Sequence, residues 1–214
     1  MQSKSHSAAS QDTSVNLSPE DTARAGVYRL LAALLRAAPA DSLLAVISKL
    51  DLVQGDNSPA PTEADMFNAW QALTAAAESA SAAELDDEYH DLFIGISRGE
   101  LMPYASWYLT GFLMEKPLAD LRADLQVLGL EQHEDIKEPE DHVAALCEAM
   151  ALLIESGEHY ADQQQKLFTH HIQPWMSQFF VDLQAARSAQ FYRAVGGFGK
   201  NFLNIEQQYM EMST

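Results

Sequence analysis

Cysteine is nearly missing from this chain: Cys147 is the single one in 214 residues. A disulfide within the chain is excluded, and multi-thiolate zinc or iron–sulfur sites have no ligands. Cys147 falls on the apolar side of a helical pattern, where a buried structural thiol is expected. Basic residues are scarce too, 13 against 31 acidic ones, for a net charge of −18. Such a surface repels nucleic acid and anionic membranes and attracts cationic partners. No apolar run nears the roughly 20 residues of a membrane span. Strand-like alternation of useful length and internal repeats at solenoid spacing are both missing.

Catalytic signatures are missing as well. There is no His-Glu-x-x-His, no nucleophile elbow and no glycine fingerprint following a strand. The run Val195-Gly196-Gly197-Phe198-Gly199-Lys200 lacks the four-residue spacer of a phosphate loop. It also carries Asn201 where Ser or Thr would hold magnesium. His170 and His171 are adjacent, so on an α-helix they diverge by about 100° and do not readily share an ion. The sequence is therefore read without a metal, a cofactor or a catalytic centre.

What the chain has is helical punctuation. Hydrophobic residues make up 47%, enough for a real core. Ser18-Pro19-Glu20-Asp21 reads as a cap with proline in the first turn, ahead of Val27, Leu30, Leu31, Leu34 and Leu35 at helical spacing. Asp41 opens a second helix. Thr62 with Asp65, and Ser81 with Glu84, read as capping boxes. A loop is expected over residues 95–103, then helices over 105–114 and 117–128 with Gly129 as the stop. Pro139 and Pro174 are each read as helix starts, Gly157 as a further stop, and the last helix carries Phe191, Tyr192, Val195, Phe198, Phe202 and Leu203. The class is all-α over residues 18–214, with a loop near 131–138 that can divide two helical halves. Residues 1–17 are Ser-, Gln- and Ala-rich without an apolar h-region, and are expected to form a disordered tail rather than a secretory signal.

Two segments stand out chemically. Glu138-Pro139-Glu140-Asp141-His142 places three carboxylates and an imidazole where a loop enters a helix. Negative charge is favourable there, because the helix N-terminus carries partial positive charge. Its ordinary reading is a helix start, and its functional reading is a port for a cationic ligand. The second segment holds Tyr104, Ser106, Trp107 and Tyr108 just after Pro103. Those aromatics either pack in the core or line an apolar groove with polar tips, as peptide sites do. A groove beside the acidic turn would suit a peptide with a basic end and an apolar middle.

At these residues the chain resembles the TorD/DmsD family of molybdoenzyme-maturation chaperones. The match runs through Tyr89-x-x-Leu92-Phe93-x-Gly95, Pro103-Tyr104-x-Ser106-x-Tyr108, Glu138-Pro139-x-Asp141-His142, His171-x-x-Pro174-Trp175 and Phe191-Tyr192, within residues 30–202. The resemblance implies a cytoplasmic, all-helical chaperone of about ten helices in a single domain that is not an enzyme. Its partners would be the twin-arginine signal peptide and the apo form of a molybdoenzyme catalytic subunit, held back from Tat export until cofactor insertion. It implies signal-peptide binding by Tyr104, Ser106, Trp107, Tyr108, Glu138, Pro139, Asp141 and His142. The Ile96-Ser97-Arg98-Gly99-Glu100 stretch departs from a Gly-Pro-Gly-like loop found in parts of the family and leaves client choice open. Dimethyl sulfoxide reductase, trimethylamine N-oxide reductase and formate dehydrogenase stand as candidates, with a lean to the last. The chain can be monomer or homodimer. Two other readings stay open: a helical metal-dependent hydrolase built on Glu138, Asp141 and His142, and an assembly factor gripping only the mature client.

Overall fold

A computed structural model describes residues 17–50, 61–96, 98–131 and 137–212. Among the described residues there are ten α-helices and no strands. They are α1 (Pro19–Arg36), α2 (Asp41–Ile47), α3 (Pro61–Ser79), α4 (Ala82–Tyr89), α5 (Ala105–Thr110), α6 (Lys116–Val127), α7 (Val143–Glu155), α8 (Ala161–Leu167), α9 (Met176–Ala185) and α10 (Phe191–Met212). One turn of π-helix extends α4 over His90–Ile94, and another extends α8 over Phe168–Ile172. The expected tail falls almost wholly outside the described residues, as does most of the loop near 131–138.

The helix starts follow local chemistry. Ser18 Oγ accepts from Asp21 N–H at 3.0 Å, with Pro19 in the first turn. The Ser81–Glu84 capping box forms in both directions. The Thr62 box does not: α3 already begins at Pro61, which puts Thr62 inside the helix. α6 ends as expected, because Gly129 takes φ +67° while Leu130 N–H and Gly129 N–H bond back to Leu125 and Gln126 carbonyls.

Three boundaries depart from the sequence reading. α5 stops at Thr110 rather than 114, since Gly111 turns left-handed at φ +81° and Thr110 Oγ1 takes the N–H of Phe112. α9 begins at Met176, after Pro174. α7 begins at Val143, not Pro139, because His142 caps it and residues 139–142 form a turn.

Helices from both sides of the loop near 131–138 share one core. α1 lies along α7, and α10 packs on α9 and α3. Tyr28, Leu31, Leu34 and Leu35 from α1 meet Leu146, Cys147, Met150 and Ile154 from α7 in the same buried cluster. Below them Arg24 Nε bonds buried Glu206 at 2.6 Å and its guanidinium also reaches Gln164, so α1, α8 and α10 are tied by a satisfied charge pair. The glycine-rich run of residues 195–200 lies in mid α10. A Cβ on Gly199 would sit 2.3 Å from the Phe180 ring, so these glycines let α9 and α10 approach closely and form no phosphate loop.

Candidate functional site

Pro103–Tyr104 and the 138–142 turn run antiparallel as a short bridge. Val143 N–H donates to the Pro103 carbonyl at 2.9 Å, and Ala105 N–H donates to the Asp141 carbonyl at 3.0 Å. The Asp141 carboxylate then accepts from Ser106 N–H at 2.8 Å, capping α5 from outside it. Asp141 is 1% exposed and Ser106 fully buried. Both therefore hold the junction together from beneath the surface.

Above them the turn opens on a cleft of about 340 Å³. Its apolar floor comes from Leu125 and Leu130 with Ala144, Ala145, Ala149 and Leu152. Glu131, Glu138, Glu140 and Glu148 border it, together with His142 and one cation, Arg36. Tyr104 Oη donates to Glu138, and the Tyr104 ring meets the His142 ring edge to face at 5.1 Å. Arg122 holds Glu140 at 2.7 Å, and Arg36 pairs with Glu148. Glu140 is kept below the usual carboxylate range: burial would raise it, but the bond from Arg122 and a backbone N–H outweigh that.

His142 is buried, and its Nδ1 accepts from Ala144 N–H at 3.1 Å. Burial pushes its pKa down to about 4 against the opposing pull of Glu138 and Asp141, so the ring is neutral at ordinary pH. With Nδ1 accepting from Ala144, the neutral ring carries its proton on Nε2, so neither nitrogen offers a lone pair to a proton or a metal. The hydrolase reading thereby loses its imidazole.

The eight expected site residues thus separate by position. Glu138 and His142 line the cleft, Tyr104 touches it through Glu138, and Pro139 carries the turn by accepting from His142 N–H at 3.1 Å. Asp141 and Ser106 lie beneath. Trp107 and Tyr108 are not among the cleft's lining residues. Tyr108 stacks on Trp175 at 5.4 Å and donates to Asp182, while Arg98 lies over the Trp107 ring at 5.1 Å. The α7 face carrying Ala144, Ala145, Glu148, Ala149 and Leu152 was missed by sequence reasoning, as were Arg36 and Leu125. A run of small residues at positions i, i+1 and i+5 after the acidic turn was the available signal, since small side chains leave room for a groove.

A family profile described as nitrate reductase delta subunit matches residues 60–181, more than half of the chain. The chain belongs to this family, that of the TorD/DmsD chaperones.

Among TorD proteins, the chaperone of Psychrobacter sp. (strain PRwf-1) is 27% identical over 205 residues, covering 89% of this chain and 93% of its own. That of Aliivibrio fischeri is 26% identical, covering 79% and 74%. That of Vibrio atlanticus is 28% identical over 59% of this chain, a match spanning 64% of the relative's length. A crystal structure of a putative redox enzyme maturation protein from Archaeoglobus fulgidus shares the fold, with TM-score 0.53 at 14% identity over 92% of this chain and 99% of that one. TorD-family proteins are maturation chaperones and not enzymes. No helix among the described residues is long and apolar enough to cross a membrane.

Proposed function

We propose that this chain binds the twin-arginine signal peptide of a molybdoenzyme subunit in the cleft between α6, α7 and the acidic turn, and holds the apo subunit in the cytoplasm until its cofactor is in place. The observation that carries this reading is the pairing, in one cavity, of an aliphatic floor with four glutamates at its border. A twin-arginine leader offers the complement: two permanently charged guanidinium groups followed by an apolar stretch.

The arginines would enter by exchange. Arg36 and Arg122 already neutralise Glu148 and Glu140, so an incoming guanidinium replaces a cation rather than meeting a bare charge. Exchange at a partly exposed rim is worth less than about 1 kcal/mol per contact. The floor therefore carries most of the affinity, at roughly 25 cal/mol for each Å² covered. Charge selects the peptide and fixes its direction; apolar burial holds it. The ordering cost of a flexible leader keeps the complex releasable.

The test is calorimetry of the full chain with a synthetic leader peptide. Expected are binding by the wild-type peptide, about tenfold loss when both arginines become glutamine, and a similar loss for Glu138→Gln with Glu140→Gln in the chaperone. Equal affinity for leader and arginine-free peptide would overturn the reading. Binding of the mature subunit alone, with none of the leader, would favour the assembly-factor alternative.

A further inference from the structure

A second cavity of about 510 Å³ also touches α6, bordered by Asp120, Asp124, Lys166, His170 and His171. Asp124, His170 and His171 each turn a donor atom toward a common point, with all three atoms within 4.8 Å of one another. Adjacent histidines on an α-helix would diverge too far for this. Here they stand in the π turn Phe168–Ile172, where a wider turn rotates successive side chains less and brings both rings toward α6. The 100° separation expected from the sequence therefore does not apply.

We propose that Asp124, His170 and His171 form a binding site for a zinc ion. Two imidazoles and one carboxylate are a donor set suited to zinc, leaving a fourth position for water or an outside ligand. The geometry is part-assembled. His171 Nε2 stands 2.9 Å from Asp124 Oδ2, so these two donors are already neighbours and zinc would displace the proton they share into solvent, while Trp175 Nε1–H holds the His171 carbonyl at 2.7 Å. His170 is exposed, with its ring centroid 6.1 Å from that of His171. Lys166 is the competitor: its ammonium lies 2.7 Å from Asp124 Oδ1. About half exposed, it can withdraw into solvent when the ion enters.

An ion at this point would pin α6 to the π turn after α8. Since α6 also supplies Leu125 to the peptide cleft, the clamp would stiffen one cleft wall. The zinc site does not depend on the peptide reading.

The test is titration of the metal-free full chain with Zn²⁺ by calorimetry, with thermal unfolding as a second readout. Expected is one ion bound per chain with a rise in Tm, at least tenfold weaker binding in His170→Ala and Asp124→Asn, and severalfold tighter binding in Lys166→Met, which removes the competing cation. His170→Ala is the decisive variant, because that ring is exposed and makes no hydrogen bond among the described residues. Unchanged zinc affinity in His170→Ala, or zinc binding abolished only by replacing a histidine outside these three residues, would overturn the proposal.

Discussion

His142 holds the acidic turn to α7 with one ring nitrogen, and its titration follows from that. Burial lowers its pKa to about 4 in the folded chain, against an ordinary 6.5 when unfolded. Between those values the unfolded chain takes up a proton that the folded chain refuses. The stability it affects is therefore complete above about pH 6.5 and falls as pH drops toward 4, by no more than about 3 kcal/mol. Urea midpoints measured across this window should slope downward with acid in the wild type. In His142→Asn, which keeps a capping acceptor, the slope should flatten. Asp141 makes a different prediction. Since its carboxylate caps α5 from a buried position, Asp141→Ala should cost about 1–2 kcal/mol of stability. Any loss of peptide affinity should accompany that loosening, which hydrogen exchange at the α5 amides would report.

Caps supplied from a distance recur among the helices. α10 receives its cap from α4: the Glu88 carboxylate accepts from the N–H groups of Gln190, Phe191 and Tyr192 at 2.8, 3.2 and 2.8 Å. Glu100 does the same for Arg187 and Ser188 just upstream. Glu88→Ala should therefore destabilise by about 1–2 kcal/mol, read from denaturant midpoints, although it removes no apolar contact. Glu100 and Gly99 thus have architectural work. A Cβ on Gly99 would stand 2.4 Å from the Phe93 backbone, so this stretch is poor ground for choosing among clients. The α9–α10 contact gives a fourth expectation. Gly199→Ala should destabilise by about 1–3 kcal/mol through overpacking on Phe180, despite alanine's better helix propensity.

At the scale of the whole molecule, the charge of −18 acts over distances that single ion pairs do not reach. A cationic leader should associate fast at low salt and slow roughly tenfold as ionic strength rises past the physiological range, while its dissociation changes little. Stopped-flow fluorescence with a labelled peptide would show it. The shared core also bears on how the chain behaves as a unit. With α1 buried along α7 and α3 against α10, neither half keeps its apolar face covered alone, so unfolding should be a single cooperative transition.

The sequence by itself determined the helical class, the capped starts of α1 and α4, the glycine stop of α6 and the acidic turn as a place of concentrated charge. Periodicity and end-capping are local, and local rules write them into neighbouring residues. Only the tertiary structure decided which residues face the cleft. The glutamates come from one stretch, residues 131–148, but Arg36 is brought to them by α1 and Leu125 by α6. It likewise sent Asp141 and Ser106 beneath the surface and turned Trp107 and Tyr108 elsewhere. It also brought two adjacent histidines to one carboxylate through a π turn that periodicity does not encode. Burial and convergence are properties of packing between distant segments, and no spacing along one segment reports them.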